Sequence, residues 1–517
     1  MNFRFIIRQF GLLLVVLSIS ILAVASWGLV RWVGGSAVEA AATKALLLSV
    51  LVGGLLGGVL WWFGHGGGEF LGRREALLLV AMGWLLGAAL AALPYRIWAL
   101  LVADMDRPHP FSSFIDCYFE AMSGLTTTGA TVLGHPDHPI EQMPDALLLW
   151  RALTQWLGGL GIIVLFVAVL PGLGVGAKKL FQVEAPGPKA SGVRPRIGET
   201  ARVLWMIYLA LTFAEVLALC LAGSSVFDAV CHTFATVATG GFSTHDTSIG
   251  GENLAVRIII IFFMVLAGIN FGLYYQLIHC RFRQVWTDPE LRLYLKILLI
   301  GSIVVVAAIF FGPNGETPQR DQPFDATVGK AVIHGVFQTV AIHTGTGFCI
   351  TDFNAWGFVA KATLVALMFI GPCSGSTGGG IKVIRVLIAF KVMLAEIERV
   401  FRPNVVRSVN VGRTPVDSGL KLAVLVYVLS IVVLFLVGTV LLMVFESGSD
   451  CSFTTAAIAS AATLNNIGPG LAGVGAIENY GWISAPGKVL LSILMALGRL
   501  EIYAVLVLFA PRFWKGQ

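Results

Sequence analysis

Long apolar runs dominate this chain, and short, weakly polar segments interrupt them. The runs at 76–101, 147–170, 203–222, 255–277, 291–311, 359–401, 420–445 and 489–510 each reach or exceed the roughly 20 residues a helix needs to cross a bilayer. Between them lie 114–133, 227–243, 327–348 and 451–469, which are too short and too polar to span. Non-helical backbone survives at membrane depth only where protein or a water-filled cavity shields it from lipid. The pattern therefore predicts helix, re-entrant segment, helix, four times over, with a break inside 359–401. Two more apolar runs come first. The run from 11 to 33 follows Arg4 and Arg8 and contains Ala23-Val24-Ala25, which imitates a signal peptide. Its apolar character continues through Trp27, Leu29, Val30 and Val33, so a retained helix is expected. The run 44–63 carries glycines suited to close helix packing.

Each re-entrant segment ends in a glycine motif. The first is Ser123-Gly124-Leu125-Thr126-Thr127-Thr128-Gly129-Ala130-Thr131, and the second is Thr239-Gly240-Gly241-Phe242-Ser243. The third is Thr344-Gly345-Thr346-Gly347-Phe348, and the fourth is Asn465-Asn466-Ile467-Gly468-Pro469. Aligned on Gly129, Gly241, Gly347 and Gly468, the copies are spaced by 112, 106 and 121 residues, a fourfold internal repeat. Short helices aiming their C-termini at one axis would each bring about half a negative elementary charge to it. The carbonyls just beyond could then replace the water around a dehydrated cation, where glycine permits the dihedrals this requires. The candidate ligands are backbone groups of Thr127, Thr128 and Gly129; Thr239, Gly240 and Gly241; Gly345, Thr346 and Gly347; and Asn466, Ile467 and Gly468. Four tight turns joining helices are the alternative, against which the shared register speaks. Asp116 and Asp228 lie thirteen residues before their glycines, where the other copies have His334 and Thr455. Asp325 and Asp450 are placed differently, so capping is expected of these acids rather than coordination.

Composition agrees with a polytopic membrane protein: 57% of the 517 residues are apolar and 12% charged, against about 25% charged in soluble domains. Mean hydropathy is +0.84. The net charge of +6 does not indicate nucleic acid, because the basic residues sit in short loops between apolar runs. Arg73, Arg74, Lys178, Lys179, Lys189, Arg194, Arg196, Arg281, Arg283, Arg292, Lys391, Arg399, Arg402, Arg407 and Arg413 fall on one side. Arg4, Arg8, Arg512 and Lys515 join them if ten helices cross, while Arg31, Arg107 and Arg320 lie opposite. Both termini are then cytoplasmic, and the re-entrant segments enter from outside. The seven cysteines show no metal-ligand spacing and read as small buried hydrophobes.

Three further features stand out. Gly371-Pro372-Cys373-Ser374-Gly375-Ser376-Thr377-Gly378-Gly379-Gly380 interrupts a spanning run. It is not a phosphate loop, since Ile381 precedes Lys382 and no Ser or Thr follows that lysine; a flexible constriction is expected. Arg499 in the last run either lines the ion path as a barrier or pairs with an acid such as Glu215 or Glu501. Asn270 reads as an interhelical hydrogen-bond former. No His-Glu metal motif or nucleophile elbow points to an enzyme.

Taken together, Thr126 to Thr131, Ala238 to Asp246, His343 to Phe348, Asn465 to Gly470, Gly375 to Gly380 and Gly498-Arg499-Leu500-Glu501 carry a resemblance. From about residue 70 onward the chain resembles the Trk/Ktr/HKT superfamily of potassium transporters, most of all the TrkH-type membrane subunits of bacterial Trk potassium uptake. Two leading helices are also typical of that type. The resemblance implies an all-α integral membrane fold with four pseudo-symmetric membrane-pore-membrane repeats around one pore. The units would be two N-terminal helices at 1–70 and repeats at 71–175, 176–285, 286–410 and 411–517. It places potassium at the filter residues and a gate at Gly375, Ser376, Thr377, Gly378, Gly379 and Gly380 with Arg499. It further implies a homodimer in the bacterial inner membrane, controlled by a cytoplasmic TrkA-type subunit. That subunit would bind the nucleotide, leaving this chain no cofactor beyond potassium. Glycine at all four filter positions favours potassium in this family, whereas serine in the first favours sodium. The expected function is gated, channel-like potassium uptake, with a symporter coupled to sodium or protons as the alternative.

Overall fold

A computed structural model describes residues 2–34, 37–66, 72–102, 109–134, 138–159, 161, 197–311, 328–404, 408–412, 414–449 and 451–515. Outside these lie residues 162–170 of one predicted run, together with Arg107, Lys178, Lys179, Lys189, Arg194, Arg196, Arg320, Asp325, Arg407, Arg413 and Asp450.

Helices α1 (Phe3–Val33) and α2 (Ala37–Phe63) lead the chain. A Cβ added to Gly11 would meet the Gly57 carbonyl at 2.5 Å, and one on Gly57 the Gly11 carbonyl at 2.8 Å. The two backbones therefore touch, and pairing of residue 11 with 57 makes the helices antiparallel. This pair leans on α3 (Arg73–Leu101), which leads to the short α4 (Phe114–Leu125) and to α5 (Asp145–Gly159). The next group comprises α6 (Ile197–Leu221), the short α7 (Val226–Val237), α8 (Leu254–Ala267) and α9 (Phe271–Ile278). After α10 (Phe282–Trp286) come α11 (Pro289–Phe311), α12 (Val328–Thr344), α13 (Phe358–Phe369) and α14 (Val383–Phe401). A two-stranded ribbon, β1 (Asn410–Val411) against β2 (Thr414–Pro415), precedes α15 (Ser418–Phe445), α16 (Phe453–Leu464), α17 (Ala485–Arg499), α18 (Tyr503–Leu506) and α19 (Pro511–Trp514).

Among the described residues, six helices are long and apolar enough to cross a membrane, or eight if two bent pairs each count as one span. The outer spans present large apolar side chains outward, such as Phe213, Phe311 and Leu429, which suits a lipid-facing surface. Helices α4, α7, α12 and α16 are instead buried along their C-terminal halves.

Two expected continuous spans are broken. The run 255–277 bends by 94° between α8 and α9, and 489–510 bends by 116° after α17. At the first break the Asn270 carboxamide oxygen accepts the Gly272 N–H at 2.8 Å and starts a new helix. Asn270 is thus a helix cap rather than an interhelical bridge. The freed backbone is satisfied across the break: Cys373 N–H donates to Gly268 O, and Phe271 N–H to Gly375 O, both at 3.0 Å. At the second break Glu501 and Ile502 take left-handed dihedrals, with φ of 55° and 61°. The run 359–401 breaks as expected, between α13 and α14. All seven cysteines are free thiols; Cys117, Cys231, Cys349 and Cys373 are buried, whereas Cys280 is exposed.

Candidate functional site

The four short helices end alike. The residue two before each aligned glycine is left-handed: Thr127 (φ 52°), Thr239 (54°), Gly345 (80°) and Asn466 (55°). In three copies the next N–H reaches back to close the helix: Thr128 to Ser123 O and Gly240 to Ala235 O at 2.8 Å, and Ile467 to Ala462 O at 2.9 Å. The third copy closes differently, through Gly347 N–H to Ala341 O at 3.0 Å. Gly129, Gly241 and Gly347 are themselves left-handed, with φ of 83°, 76° and 77°. The chain therefore leaves each helix through one reversal, and in three copies meets another at glycine.

These turns meet one another in cyclic order. A Cβ on Gly129 would lie 2.2 Å from Gly240 O, and one on Gly241 would lie 2.0 Å from Thr346 O. One on Gly347 would lie 3.2 Å from Gly468 N, and one on Gly468 would lie 2.5 Å from Gly129 O. Gly129, Gly241, Gly347 and Gly468 also line a single cavity of about 550 Å³, whose walls include Arg151, Glu141, His245, Asp246 and Glu478. Burial alone would raise the Glu141 carboxyl, but the Asp246 N–H at 2.9 Å and nearby His245 outweigh it and hold it below its ordinary value.

The remaining predicted ligands do not line that cavity. Thr127, Thr128, Thr239, Gly240, Gly345, Thr346, Asn466 and Ile467 are all buried. Copies one and three share a hydroxyl pair, Thr126 with Thr128 at 2.8 Å and Thr344 with Thr346 at 2.9 Å. The equivalent positions in copies two and four are Ala238 with Gly240 and Asn465 with Ile467. Asn466 extends its Nδ2 to Thr128 Oγ1 at 3.1 Å and to Met495 O at 2.9 Å, tying the fourth copy to the first.

Residues that sequence reasoning passed over brace the turns. The Gln155 side chain donates to Gly240 O at 2.8 Å and accepts the Phe242 N–H at 3.1 Å. Nine residues before each glycine stand Glu120, His232, Gln338 and Ala459. The first three reach the strand leaving their own turn: Glu120 accepts the Val132 N–H at 3.0 Å, His232 contacts Ser243 Oγ at 3.3 Å, and Gln338 donates to Phe348 O at 3.4 Å. Neighbouring copies are cross-linked as well. Ile249 N–H donates to Cys349 O at 3.0 Å, Ala472 N–H to Asn354 Oδ1 at 2.9 Å, and Tyr480 N–H to Thr131 O at 2.8 Å. A charged residue within an apolar segment, as Glu120 is, was the available signal.

Asp116 and Asp228 do not line the cavity. Asp116 pairs with Lys488 at 2.6 Å instead of capping its helix. Asp228 sits in a capping arrangement with Ser225, whose Oγ accepts the Asp228 N–H at 3.0 Å, and it also accepts from Thr244 at 2.7 Å.

Beneath the turns lies the loop interrupting α13 and α14. A Cβ on Gly378 would meet Thr344 O at 2.6 Å, and one on Gly379 would meet Asn465 O at 2.8 Å, so Gly375 to Gly380 pass under copies three and four. Arg499 donates to Thr377 O at 2.6 Å and to Gly159 O at 2.7 Å, with Gly158 O as a further acceptor. Its guanidinium thus joins the loop to the end of α5 through backbone carbonyls. Glu501 pairs with Arg385 at 2.7 Å, and Glu215 is buried in α6. Glu290 accepts the Ser374 N–H at 2.6 Å, and Lys382 donates to Gly378 O.

The TrkH family, described as cation transport protein, matches residues 54–515. The Trk system potassium uptake protein TrkH of Salmonella typhimurium is 36% identical over the whole of both chains. That of Halomonas elongata is 37% identical, again over both full lengths. The crystal structure of the potassium transporter TrkH from Vibrio parahaemolyticus superimposes with a TM-score of 0.83 at 34% identity, covering both chains completely. The fold is all-α and membrane-embedded, and the relatives are transporters rather than enzymes. This chain belongs to the TrkH family of cation transport proteins.

Proposed function

We propose that this protein carries potassium into the bacterial cell through a gated, channel-like pore, with the four glycine turns as its selectivity filter. The observation that carries this reading is the closed cycle of contacts among Gly129, Gly241, Gly347 and Gly468 at the floor of one cavity. Four helix C-termini converging there supply negative potential, and backbone carbonyls supply oxygen ligands for a desolvated monovalent cation. The loop Gly375 to Gly380, pinned by Arg499, sits where it would close the path below. The repeat divisions at 71–175, 176–285, 286–410 and 411–517 each hold a long helix followed by a short one, and among the described residues the second, third and fourth units add a broken helix.

A cytoplasmic TrkA-type regulator, a homodimeric assembly and an inner-membrane location with cytoplasmic termini complete the proposal. Exposed Arg281, Arg283, Arg292, Arg399 and Arg402 support the orientation, since they sit near helix ends and none of them lines the cavity. The test is potassium uptake in cells lacking their own potassium transporters, comparing the wild type with Gly129→Ser and Gly347→Ser. Weakened preference for potassium over sodium, or lost uptake, is expected of both variants. Unchanged preference in both would overturn the filter assignment. Reversal potentials in reconstituted bilayers separate the alternatives: a value following potassium alone supports a channel, and a shift with sodium or protons supports coupling.

A further inference from the structure

Behind the junction of the first two turns lies a buried ion pair. Glu120 and Arg151 are 0% and 1% exposed by side chain, and their charged groups approach to 2.7 Å. The guanidinium touches both turns at once. Its Nε donates to Glu120 at 2.8 Å, one terminal nitrogen to Ser243 O at 3.2 Å, and the other to Thr131 Oγ1 at 3.2 Å. Its plane covers the Phe242 ring at 4.1 Å. Glu120 also accepts from Thr131 Oγ1 at 2.9 Å and from the Val132 N–H at 3.0 Å. Both groups are therefore well satisfied in place.

Such a pair contributes little to stability compared with well-packed apolar residues, because desolvation offsets the attraction. What it supplies here is geometry. Thr131 and Val132 follow Gly129 by two and three residues, and Ser243 follows Gly241 by two. Between them runs the close approach of Gly129 to Gly240 O. A planar, rigid fork fixes distances that a point charge on a flexible stem would not. The carboxylate also cancels the positive charge that would otherwise stand bare in the cavity wall.

We propose that Arg151, held by Glu120, is a positioning residue for ion discrimination: it sets the spacing of the first two filter turns. This rests on the filter reading above. Arg151→Lys is the main test, because lysine keeps the charge opposite Glu120 but cannot span to Ser243 and Thr131 together. The full-length variant is assayed for potassium and sodium uptake in transporter-deficient cells, and the purified protein for thermal unfolding. Preference for potassium over sodium is expected to fall about tenfold, the scale of one lost charged hydrogen bond, while the protein stays folded. Glu120→Gln/Arg151→Gln, which removes both charges, is expected to fold and to show the same loss.

Gly129→Ser and Gly347→Ser run alongside. If the serine variants lose preference while folded Arg151→Lys and the double variant keep it, the pair is merely structural and the proposal is overturned. Unchanged preference in all four overturns the filter reading along with it. Lost preference in Arg151→Lys without a drop in melting temperature supports the proposal.

Discussion

Gly129→Ala tests the closed cycle most sharply, because one methyl group meets two obstacles. The left-handed dihedral of Gly129, φ 83°, costs an alanine about 1–2 kcal/mol. The new Cβ would lie 2.2 Å from Gly240 O, so that oxygen must retreat by more than ~1 Å to reach ordinary contact. Gly240 O is not free to do so, since it accepts from Gln155 Nε2 at 2.8 Å. Losing that bond costs a further 0.5–1.5 kcal/mol or about that much, and overpacking of this kind typically costs 1–3 kcal/mol or about that range. Together these come to about 2.5–6.5 kcal/mol, concentrated where the ion would be held. Potassium uptake at limiting concentration is then expected to fall by about two to five orders of magnitude at equal protein abundance. Gly345→Asn is the matched control. Gly345 is also left-handed, φ 80°, but its Cβ would meet only ordinary contacts at 3.7 and 3.8 Å. Thr127, Thr239 and Asn466 already occupy the equivalent position in the other copies. Uptake within a few-fold of wild type is expected for it. Wild-type uptake by Gly129→Ala, or equal damage from both substitutions, would refute the reasoning.

Two further outcomes follow from groups at the two ends of the path. Arg499→Ala removes the donors to Thr377 O, Gly158 O and Gly159 O; a loss of about 3 kcal/mol of tethering would shift loop opening by roughly a hundredfold. Raised potassium flux in proteoliposomes holding this chain alone is the expected reading, and unchanged flux would count against the loop as a gate. At the cavity, the Glu141 carboxyl is held below its ordinary value, so its contribution to stability is present above the unfolded carboxyl range of about 4 and lost as pH falls through the folded value. The melting-temperature difference between wild type and Glu141→Gln should accordingly be present near neutral pH and shrink in stronger acid as the carboxylate is protonated.

Much of this architecture could be read in the residues. Hydropathy placed the ends of the long helices almost to the residue, because lipid imposes one length scale on all of them, but it started Phe3–Val33, Ala37–Phe63 and Ile197–Leu221 six to eight residues late. The glycine motifs marked where the short helices end. The 94° and 116° bends escaped notice, since the runs holding Gly268, Asn270 and Leu500 are long enough and apolar enough on average to read as continuous spans. Those bends are decided by partners distant in sequence: Cys373 and Gly375 for one, Arg385 for the other. The cross-bracing was hidden for a similar reason. Gln155 and Arg151 belong to a wall helix, and nothing local says that Gln155 reaches the second turn or that Arg151 bridges the second turn to its own. Arg499 was visible as a costly charge, but its acceptors are backbone carbonyls, which every residue has.

The hydroxyl pairs Thr126 with Thr128 and Thr344 with Thr346 recur in alternate copies, which face one another across the cycle. Symmetry around the cycle of turns is therefore closer to twofold than fourfold, with threonine hydroxyl pairs on one diagonal and Gly240 and Ile467 at the matching positions on the other. An ion lodged there would experience a rhombic rather than a square field. Substitutions along the two diagonals should consequently be inequivalent, a distinction that a pore assembled from identical subunits could never display.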